Sequence, residues 1–419
     1  MAKPEEGLEV YLVGGAVRDR LLGRPQGDRD WVVVGATAEE MRRRGFKPVG
    51  RDFPVFLHPV TKEEYALART ERKTAPGYKG FAVHAAPEVT LKDDLLRRDL
   101  TINAMAETAD GTLVDYFGGA EDLARGVLRH VSPAFVEDPV RVLRVARFAA
   151  RYDFSVAPET LALMREIVAR GETDVLVAER VWQELQGALI EPKPSRFVSA
   201  LRGCGALARV LPELDALFGV PQPADVHPEV DTGLHTLLVV DQAARVSTDP
   251  AVRFAALVHD LGKALTPKEL LPKHHGHEEA GITPIRELCA RIRVPSAFRD
   301  LALVTCRWHL HVHKLKELNP GSIVRLFAGL DAFRRPERLE EYLAVCLADL
   351  RGRPGHEDDV FPKGETLRGY FEAARAADVA SIAARGLEGE TAANEVHRLR
   401  CEAIRIAREK TVVEPALRT

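Results

Sequence analysis

The stretch YLVGGAVRDRLLGRPQGDRDWVVVG, Tyr11 to Gly35, constrains the fold more than any other segment of the chain. Its two apolar runs, Tyr11–Val13 and Trp31–Val34, read as buried strands. Between them lie the pair Gly14-Gly15, a short helical pattern and the triplet Asp28-Arg29-Asp30. Residues two apart on a strand face the same side, so Asp28 and Asp30 are expected side by side. Paired carboxylates repel unless a cation lies between them, and a hard, oxygen-seeking ion such as Mg2+ suits that place. Gly14-Gly15 ends the first strand where backbone N–H groups can approach a phosphate. Arg18, one turn into the following helix, can add a charge-assisted contact. Asp-x-Asp alone is common and often marks only a turn; the glycines upstream and the apolar strand downstream give it weight.

The rest of the first 129 residues has the same texture. Val10–Val13, Trp31–Val34, Glu64–Ala68 and Thr112–Asp115 read as strands and Ala38–Arg43 as a short helix, which together make a small α/β unit. From Asp138 the apolar spacing changes to three and four, and strand candidates vanish. Helices are expected at Ala178–Ile190, Arg196–Leu211, Leu234–Val246, Ala251–Leu261, Ser296–His309 and Pro336–Arg351. GVPQPADVHPEVDTG reads as a linker or surface loop, with a division near 220–234. At 419 residues the chain is long enough for two to four domains, and 46% apolar residues allow a sizeable core. A net charge of −3 gives no global basic field, so any nucleic-acid binding must come from local patches.

Cys204, Cys289, Cys306, Cys346 and Cys401 are scattered without a CxxC pair, which argues against a disulfide framework or a zinc–thiolate site. With no signal-peptide core in MAKPEEGLEV and no apolar stretch of membrane-spanning length, a soluble cytoplasmic protein without membrane contact is expected.

Further motifs converge on phosphate. Neither GxxxxGK[ST] nor GxGxxG occurs. LLRRDLTINAMA sets Arg97, Arg98 and Asp99 ahead of an apolar run, where an Asp can accept from a ribose hydroxyl while an Arg takes a phosphate. EDPVRVLRVARF spaces Arg141, Arg144 and Arg147 three apart, along one side of a helix whose other residues are apolar. A second constellation lies downstream. AVRFAALVHDLGKAL puts His259 and Asp260 at the end of an apolar helix, with Gly262 as its expected C-cap. His235, the group His274, His275 and His277, then His309, His311, His313 and Asp349 surround it in sequence. Clustered histidines beside a His-Asp pair, without cysteine, read as an O/N metal site.

In the order GGAVRD, DRDW, RRDLTINA, EDPVRVLRVARF and HD, the sequence resembles the bacterial class II tRNA CCA-adding nucleotidyltransferases that carry a C-terminal HD domain. The ordered set covers most of the chain and thins after about residue 352. The resemblance implies a polymerase-β-like α/β nucleotidyltransferase head followed by an all-α neck, body and HD domain. Its divisions would be 1–135 head, 136–225 neck and body, 228–336 HD domain and 337–419 helical tail. It implies untemplated addition of C, C and A to a tRNA 3′ end from CTP and ATP, with release of pyrophosphate. Asp28 and Asp30 would hold Mg2+, with Glu64 a candidate third carboxylate.

Gly15, Arg18, Arg98, Asp99, Asp138, Arg141, Arg144 and Arg147 would bind the nucleotide, Asp138 and Arg141 reading the base. A carboxylate beside a guanidinium complements the amino donor and ring-nitrogen acceptor of cytosine or adenine and mismatches uracil and guanine. RTERKTAPGYKGF resembles the family's mobile loop, with Tyr78 and Phe81 suited to nucleic acid. In the HD domain, the resemblance to HD phosphohydrolases implies metal ligands His235, His259, Asp260, His277 and Asp349, with His309 on the substrate phosphate. Ni2+ or another transition metal would support phosphatase, 2′-nucleotidase and 2′,3′-cyclic phosphodiesterase activities. The expected assembly is a monomer or homodimer. The competing readings are a poly(A) polymerase, which usually carries a basic C-terminal extension in place of an HD domain, and a non-catalytic RNA-binding regulator, which the intact Asp28, Asp30 and Asp138-to-Arg147 motifs oppose.

Overall fold

A computed structural model describes residues 4–25, 27–49, 54–73, 81–384 and 386–413. Packing of the chain separates two units, Met1–Ala188 with Arg196–Val210, and Leu189–Ser195 with Leu211–Thr419.

The first unit is built on a mixed seven-stranded sheet. Its first half runs β1 (Glu9–Val13), α1 (Gly15–Leu21), β2 (Asp30–Val34), α2 (Ala38–Arg43), β3 (Lys47–Val49), β4 (Val55–Leu57) and β5 (Glu64–Leu67). A separate hairpin, β6 (Thr70–Lys73) with β7 (Phe81–His84), precedes α3 (Leu91–Leu96), β8 (Ala106–Glu107), β9 (Leu113–Val114) and α4 (Gly119–Arg125). The sheet order is β3-β4-β5-β2-β1-β8-β9, with β2 and β5 parallel and β1 antiparallel to β2. From Trp31 onward β2 is apolar because both its faces are covered. Val32 packs with Leu91 and Leu95 on one side; Val33 packs with Met41 and Phe56 on the other. Each valine is about 1% exposed, which stabilises the sheet by about 1.5–3 kcal/mol per side chain. The strands expected from sequence at 10–13, 31–34, 64–68 and 112–115 all form, within one or two residues at each end.

The unit continues with the short parallel pair β10 (Val127–Leu128) and β11 (Ser155–Val156) around α5 (Val140–Tyr152), then α6 (Pro158–Ala169), α7 (Ala178–Leu189), α8 (Ser195–Cys204) and α9 (Leu207–Val210). The single helix expected over 196–211 is broken at Gly205, whose φ of +82° ends α8.

The second unit is helical: α10 (Pro212–Asp215), α11 (Thr232–Val246), α12 (Pro250–Val258), α13 (His277–Ala280), α14 (Ile282–Arg291), α15 (Ser296–His313), α16 (Pro320–Gly329), α17 (Glu337–Arg351), α18 (Pro362–Arg375), α19 (Ala380–Ala384) and α20 (Gly389–Val413). α12 is buried on every side from Phe254 to Val258 and packs against α11, α15 and α17. Its start is fixed by Asp249, which accepts the Ala251 N–H at 2.7 Å, with Pro250 at the first helical position. α17, which the sequence reading gave to the tail, therefore belongs to the core of this unit. α16, α17, α18 and α20 enclose a second apolar cluster around Phe327, Tyr342 and Phe371.

Gly119 and Gly369 separate close packing from helix propensity. A Cβ on Gly119 would lie 2.2 Å from the Thr101 carbonyl oxygen and 2.8 Å from Met105 Cγ, whereas Gly369, on the exposed side of α18, meets nothing within 4 Å. Gly119→Ala is expected to destabilise by about 1–3 kcal/mol through overpacking. Gly369→Ala should stabilise by about 0.5–1 kcal/mol. Chemical-denaturation midpoints that shift in the same direction for both would contradict this packing.

Candidate functional site

In the head, backbone geometry brings the first motif together. Gly14 has φ +70° and ψ −125°, and a Cβ there would fall 2.9 Å from Arg98 Nη1. The glycine lets the chain turn and lets Arg98 pass beneath it. β1 and β2 then pair so that Val13 faces Asp30 in register, and β2 and β5 pair so that Asp30 faces Glu64. The strand begins at Asp30, so Asp28 lies just ahead of it and not on it, because β2 has already left its pairing with β1. Asp28, Asp30 and Glu64 are all exposed. Partial desolvation of the Asp30 carboxyl, then the negative charges of Glu64 and Asp28, raise its pKa against the pull of Arg98. Three oxygen donors in mutual repulsion at the end of two strands fit a hard divalent cation.

Opposite them lies a cavity of about 570 Å3 lined by Gly14, Gly15, Arg18, Asp30, Arg98, Asp99, Asp138, Arg141, Arg144 and Arg147, among others. Every head residue expected to bind nucleotide is in that lining; of the two expected Mg2+ ligands, Asp30 is and Asp28 is not. Nine arginines face five carboxylates there, a surplus of positive charge that suits a triphosphate.

Buried acids hold the arginines in place. Arg18 donates from Nε to Asp19 at 2.9 Å and from Nη1 to the Asn103 amide oxygen, and its guanidinium lies over the rings of Phe148 and Tyr152 at 5.4 and 5.1 Å. Asp19 also accepts from the Tyr152 hydroxyl and from Arg151. Asp94, with no exposed surface on its side chain, accepts from Arg97 and Arg98. Burial opposes its ionisation, but those two guanidiniums outweigh burial and keep the carboxyl below its ordinary range.

Asp99 takes Arg144 Nε at 2.8 Å and the Asn103 amide at 3.0 Å. Arg147 reaches Glu184 at 2.6 Å across Gly187, where a Cβ would lie 2.7 Å from Arg147 Cδ. Arg141 donates to the carbonyls of Ala134 and Arg97, and the Asp138 carboxylate accepts the Val140 N–H, so these two do not pair with each other. Arg151 extends the arginine spacing of α5 by four and was legible in it. Glu184, on another helix, carried no signal. Tyr78 lies outside the described residues, as does the side chain of Phe81, which opens β7.

The second unit gathers the histidines. α11 carries His235, α12 ends at His259-Asp260, α13 starts at His277, α15 carries His309 and α17 carries Asp349. All six are buried. His235 Nε2 is 3.0 Å from Asp349 Oδ1, and His259 Nε2 is 3.2 Å from Asp260 Oδ2. His277 and His309 approach Asp260 Oδ1 at 3.2 and 3.6 Å. Burial opposes the ionisation of Asp260, but His259 and Lys263 outweigh it and hold the carboxyl well below its usual range. For Asp349, His235 and His313 do the same.

His259 Nε2 and Asp260 Oδ1 are buried without a hydrogen-bond partner among the described residues. An imidazole-rich donor set with such orphaned atoms fits a transition metal. Gly262 is not a C-cap. It lies in a 3-10 turn, Leu261–Leu265, where a Cβ would sit 2.0 Å from the His277 carbonyl oxygen, and this close approach sets His277 beside the His-Asp pair. The Pro-rich stretch after residue 219 is likewise no mere spacer. It pairs Pro221 with Asp231 and delivers Gln222, which accepts from Lys263 Nζ at 2.6 Å, and Glu229, 2.8 Å from His235 Nδ1. His227 and Glu229 were missed from sequence because proline and glycine dominate their surroundings.

His274 is occupied by Thr266 and the Pro221 carbonyl, and His311 lies against Trp308. A larger cavity in this unit, about 920 Å3 between the start of α12, α17 and α18, contains none of the expected site residues, and size alone does not make it the site.

Three family models match the chain: the poly A polymerase head domain over residues 10–129, the probable RNA and SrmB-binding site of polymerase A over 153–218, and the HD domain over 232–350. The multifunctional CCA protein of Laribacter hongkongensis is 60% identical over 403 residues, covering 96% of this chain and all of that one. The structure of the Bacillus stearothermophilus CCA-adding enzyme in complex with CTP superimposes with a TM-score of 0.61 at 22% identity, covering 96% of this chain and 93% of that one. The Thermotoga maritima CCA-adding enzyme complexed with tRNA gives 0.60 at 20% identity, covering 97% and 92%. At these identities the two structures speak for the fold.

The pairing of Asp99 generates a pH dependence. Burial opposes its ionisation, but Arg144 and the Asn103 amide outweigh it and hold the carboxyl down to about 2. A folded-state value below the unfolded one gives stability that is complete above the ordinary carboxylate pKa and is lost as pH falls towards 2. The difference amounts to on the order of 2 kcal/mol. Asp99→Asn should remove about that much at neutral pH and flatten the fall in stability between about pH 4 and 2. Parallel stability–pH curves for the two proteins would show that the pairing stabilises nothing.

Proposed function

The chain belongs to the multifunctional CCA proteins, and on that premise we propose that it adds and repairs the 3′-terminal CCA of tRNA without a nucleic-acid template, using CTP and ATP. The observation that carries this reading is an arginine-rich cavity with Asp30 at its edge, in which nine of the ten head residues expected from sequence meet. The tRNA 3′-oxygen forms a bond to the α-phosphorus of the nucleotide while the bond to the β-phosphate breaks and pyrophosphate leaves. Asp28 and Asp30, with Glu64 opposite Asp30, would hold Mg2+, which neutralises charge on the attacking and leaving oxygens.

Arg18 and Arg98 bind the triphosphate from positions already fixed by Asp19 and Asp94, so little side-chain ordering remains to be done when nucleotide arrives. Asp99, held beside Arg144, would accept from a ribose hydroxyl. Arg144 and Arg147 complete the nucleotide pocket. Asp138 and Arg141 read the base. Arg141 spends one hydrogen on each of two main-chain oxygens, which fixes the plane of its guanidinium while each terminal nitrogen keeps a second hydrogen for the base.

The HD domain adds phosphatase, 2′-nucleotidase and 2′,3′-cyclic phosphodiesterase activities. His235, His259, Asp260, His277 and Asp349 would hold Ni2+ or another transition metal, which supplies Lewis acidity towards a phosphoester oxygen. Lys263, paired with Asp260, adds a fixed positive charge beside that centre. None of the described helices is long and apolar enough to cross a membrane.

Two experiments test these roles. Asp28→Ala or Asp30→Ala should abolish addition of CMP and AMP to tRNA with Mg2+ while leaving Ni2+-dependent hydrolysis of a 2′,3′-cyclic phosphate intact. His259→Ala with Asp260→Ala should do the reverse. Loss of both activities in either variant would contradict the assignment of separate donor sets. For base reading, kcat/KM for all four nucleoside triphosphates on one primer should show Asp138→Ala or Arg141→Ala losing at least tenfold in preference for CTP and ATP. An unchanged preference would place base reading on other residues.

A further inference from the structure

Arg18 and Asp19 are consecutive residues of α1, and side chains one apart on a helix do not face each other. Yet Arg18 Nε lies 2.9 Å from Asp19 Oδ1, and both residues are only 4% exposed. Nothing in α1 itself explains the meeting; the far end of α5 does. Tyr152, the last residue of that helix, donates its hydroxyl to the same Asp19 Oδ1 at 2.9 Å, and Arg151 Nη2 reaches Asp19 Oδ2 at 3.2 Å. The Tyr152 ring also carries the guanidiniums of Arg18 at 5.1 Å and Arg24 at 4.8 Å, and it stacks on Phe148 at 6.2 Å with 9° between the planes. Burial pushes the Tyr152 hydroxyl up to about 12, so it stays protonated and donates throughout the neutral range.

Tyr152 is thus tied to the neighbour of the arginine that would take the triphosphate, and its own helix begins beside the arginine that would read the base. Arg141 and Tyr152 stand eleven residues apart on α5, roughly 16 Å along the axis of an unbroken helix. A second tie, Arg144 Nε to Asp99 at 2.8 Å, joins the same helix to the head nearer its start. One tie fixes a point on a rod; two fix its direction. Arg151 adds a longer contact from a side chain that is 30% exposed, so the stiff, buried ring of Tyr152 sets the position. Without its hydroxyl, α5 can pivot about Arg144, and Arg141 swings with it. A base that mismatches Asp138 and Arg141 is rejected because polar groups are left unpaired, and that penalty shrinks once the helix can shift to meet it.

We propose that Tyr152, acting through Asp19, is a positioning residue for base selection: its hydroxyl holds α5 at a set offset from Arg18, so that Asp138 and Arg141 meet the base of a nucleotide whose triphosphate lies on Arg18. That role deepens the nucleotidyltransferase reading and rests on it for the ligand. Tyr152 does not line the nucleotide cavity, so its influence passes through Asp19 and α5. A misplacement of about 1 Å that begins far from the reacting atoms is enough to cost a large factor in turnover or selectivity.

Tyr152→Phe tests the tie, because it keeps the ring with its stacking and cation contacts and removes only the hydroxyl. Measured in the full chain on one tRNA primer, the kcat/KM preference for CTP and ATP over UTP and GTP should fall at least threefold, carried mainly by a higher KM for CTP and ATP. Placed on top of Arg141→Ala, the same substitution should lower the preference no further, since it acts through that reader. A residue that only stabilises the fold would lower the denaturation midpoint and scale kcat/KM for all four nucleotides alike. That pattern, an unchanged preference in Tyr152→Phe, or a further additive loss in the double variant would overturn the proposal while leaving the transferase reading in place. Should the native chain extend no tRNA, the transferase reading falls, and calorimetric affinities for the four triphosphates then decide the tie by the same ratio.

Discussion

Buried carboxylates paired with arginines are the interaction on which the head depends. Nine guanidiniums around one cavity would repel one another and scatter into solvent if nothing anchored them. Asp19, Asp94 and Asp99 are all buried, and each takes hydrogen bonds from the arginines beside it. Burying a carboxylate costs several kcal/mol unless it is paired and fully hydrogen-bonded, and these are paired. Removing one arginine would leave a buried charge uncompensated, so the network holds each guanidinium in one place. Preorganisation of this kind is what phosphoryl transfer requires, since the protein's contribution is largely positioning and electrostatics.

Much of this was legible in the chain because the signals are local. Gly14-Gly15 ahead of Arg18, the Asp-x-Asp ahead of β2 and the three-residue spacing of Arg141, Arg144 and Arg147 are short-range patterns, and eight of the nine nucleotide-cavity residues expected from sequence, all but Asp138, came from such patterns alone or beside the family resemblance. What sequence could not supply is convergence. Glu184 meets Arg147 only because Gly187 lets that arginine lie against α7. Glu229 meets His235 only because the Pro-rich loop folds back at the Pro221–Asp231 bridge. Gly262 illustrates the opposite error. A glycine at a helix end invites a capping explanation, yet its backbone φ is not in the left-handed region, and the reason for glycine is a carbonyl 2.0 Å from where Cβ would be.

Two donor sets on one chain can serve different ions because their chemistries differ in kind. The head offers only oxygens at an exposed strand end, where partial desolvation and then the charges of Glu64 and Asp28 raise the Asp30 pKa and so favour a cation beside it. A site of that type suits an ion that keeps several waters and binds through one or two carboxylates plus substrate phosphates. The second unit offers imidazoles with almost no exposed surface, which favours ions that bind nitrogen well. Raw affinity would draw transition metals to either site, so burial and ligand type, and not strength alone, have to separate them.

The i−3 carbonyl contacts carry that separation one step further. An α-helix normally pairs each carbonyl with an N–H four residues on, so a histidine Nδ1 reaching the carbonyl three back shares an acceptor already in use or takes one near a helix end. His259 does this where α12 stops, His277 where α13 starts and His309 inside α15. Three unrelated positions in the helical ladder arrive at the same ring tautomer and the same outward Nε2. A buried neutral histidine needs a partner for both ring nitrogens, and with Nδ1 bonded to a carbonyl each of these rings keeps an Nε2 lone pair that wants a donor or a cation. Agreement on Nε2, around a carboxylate whose two oxygens face opposite groups, is what an arrangement built to ligate requires.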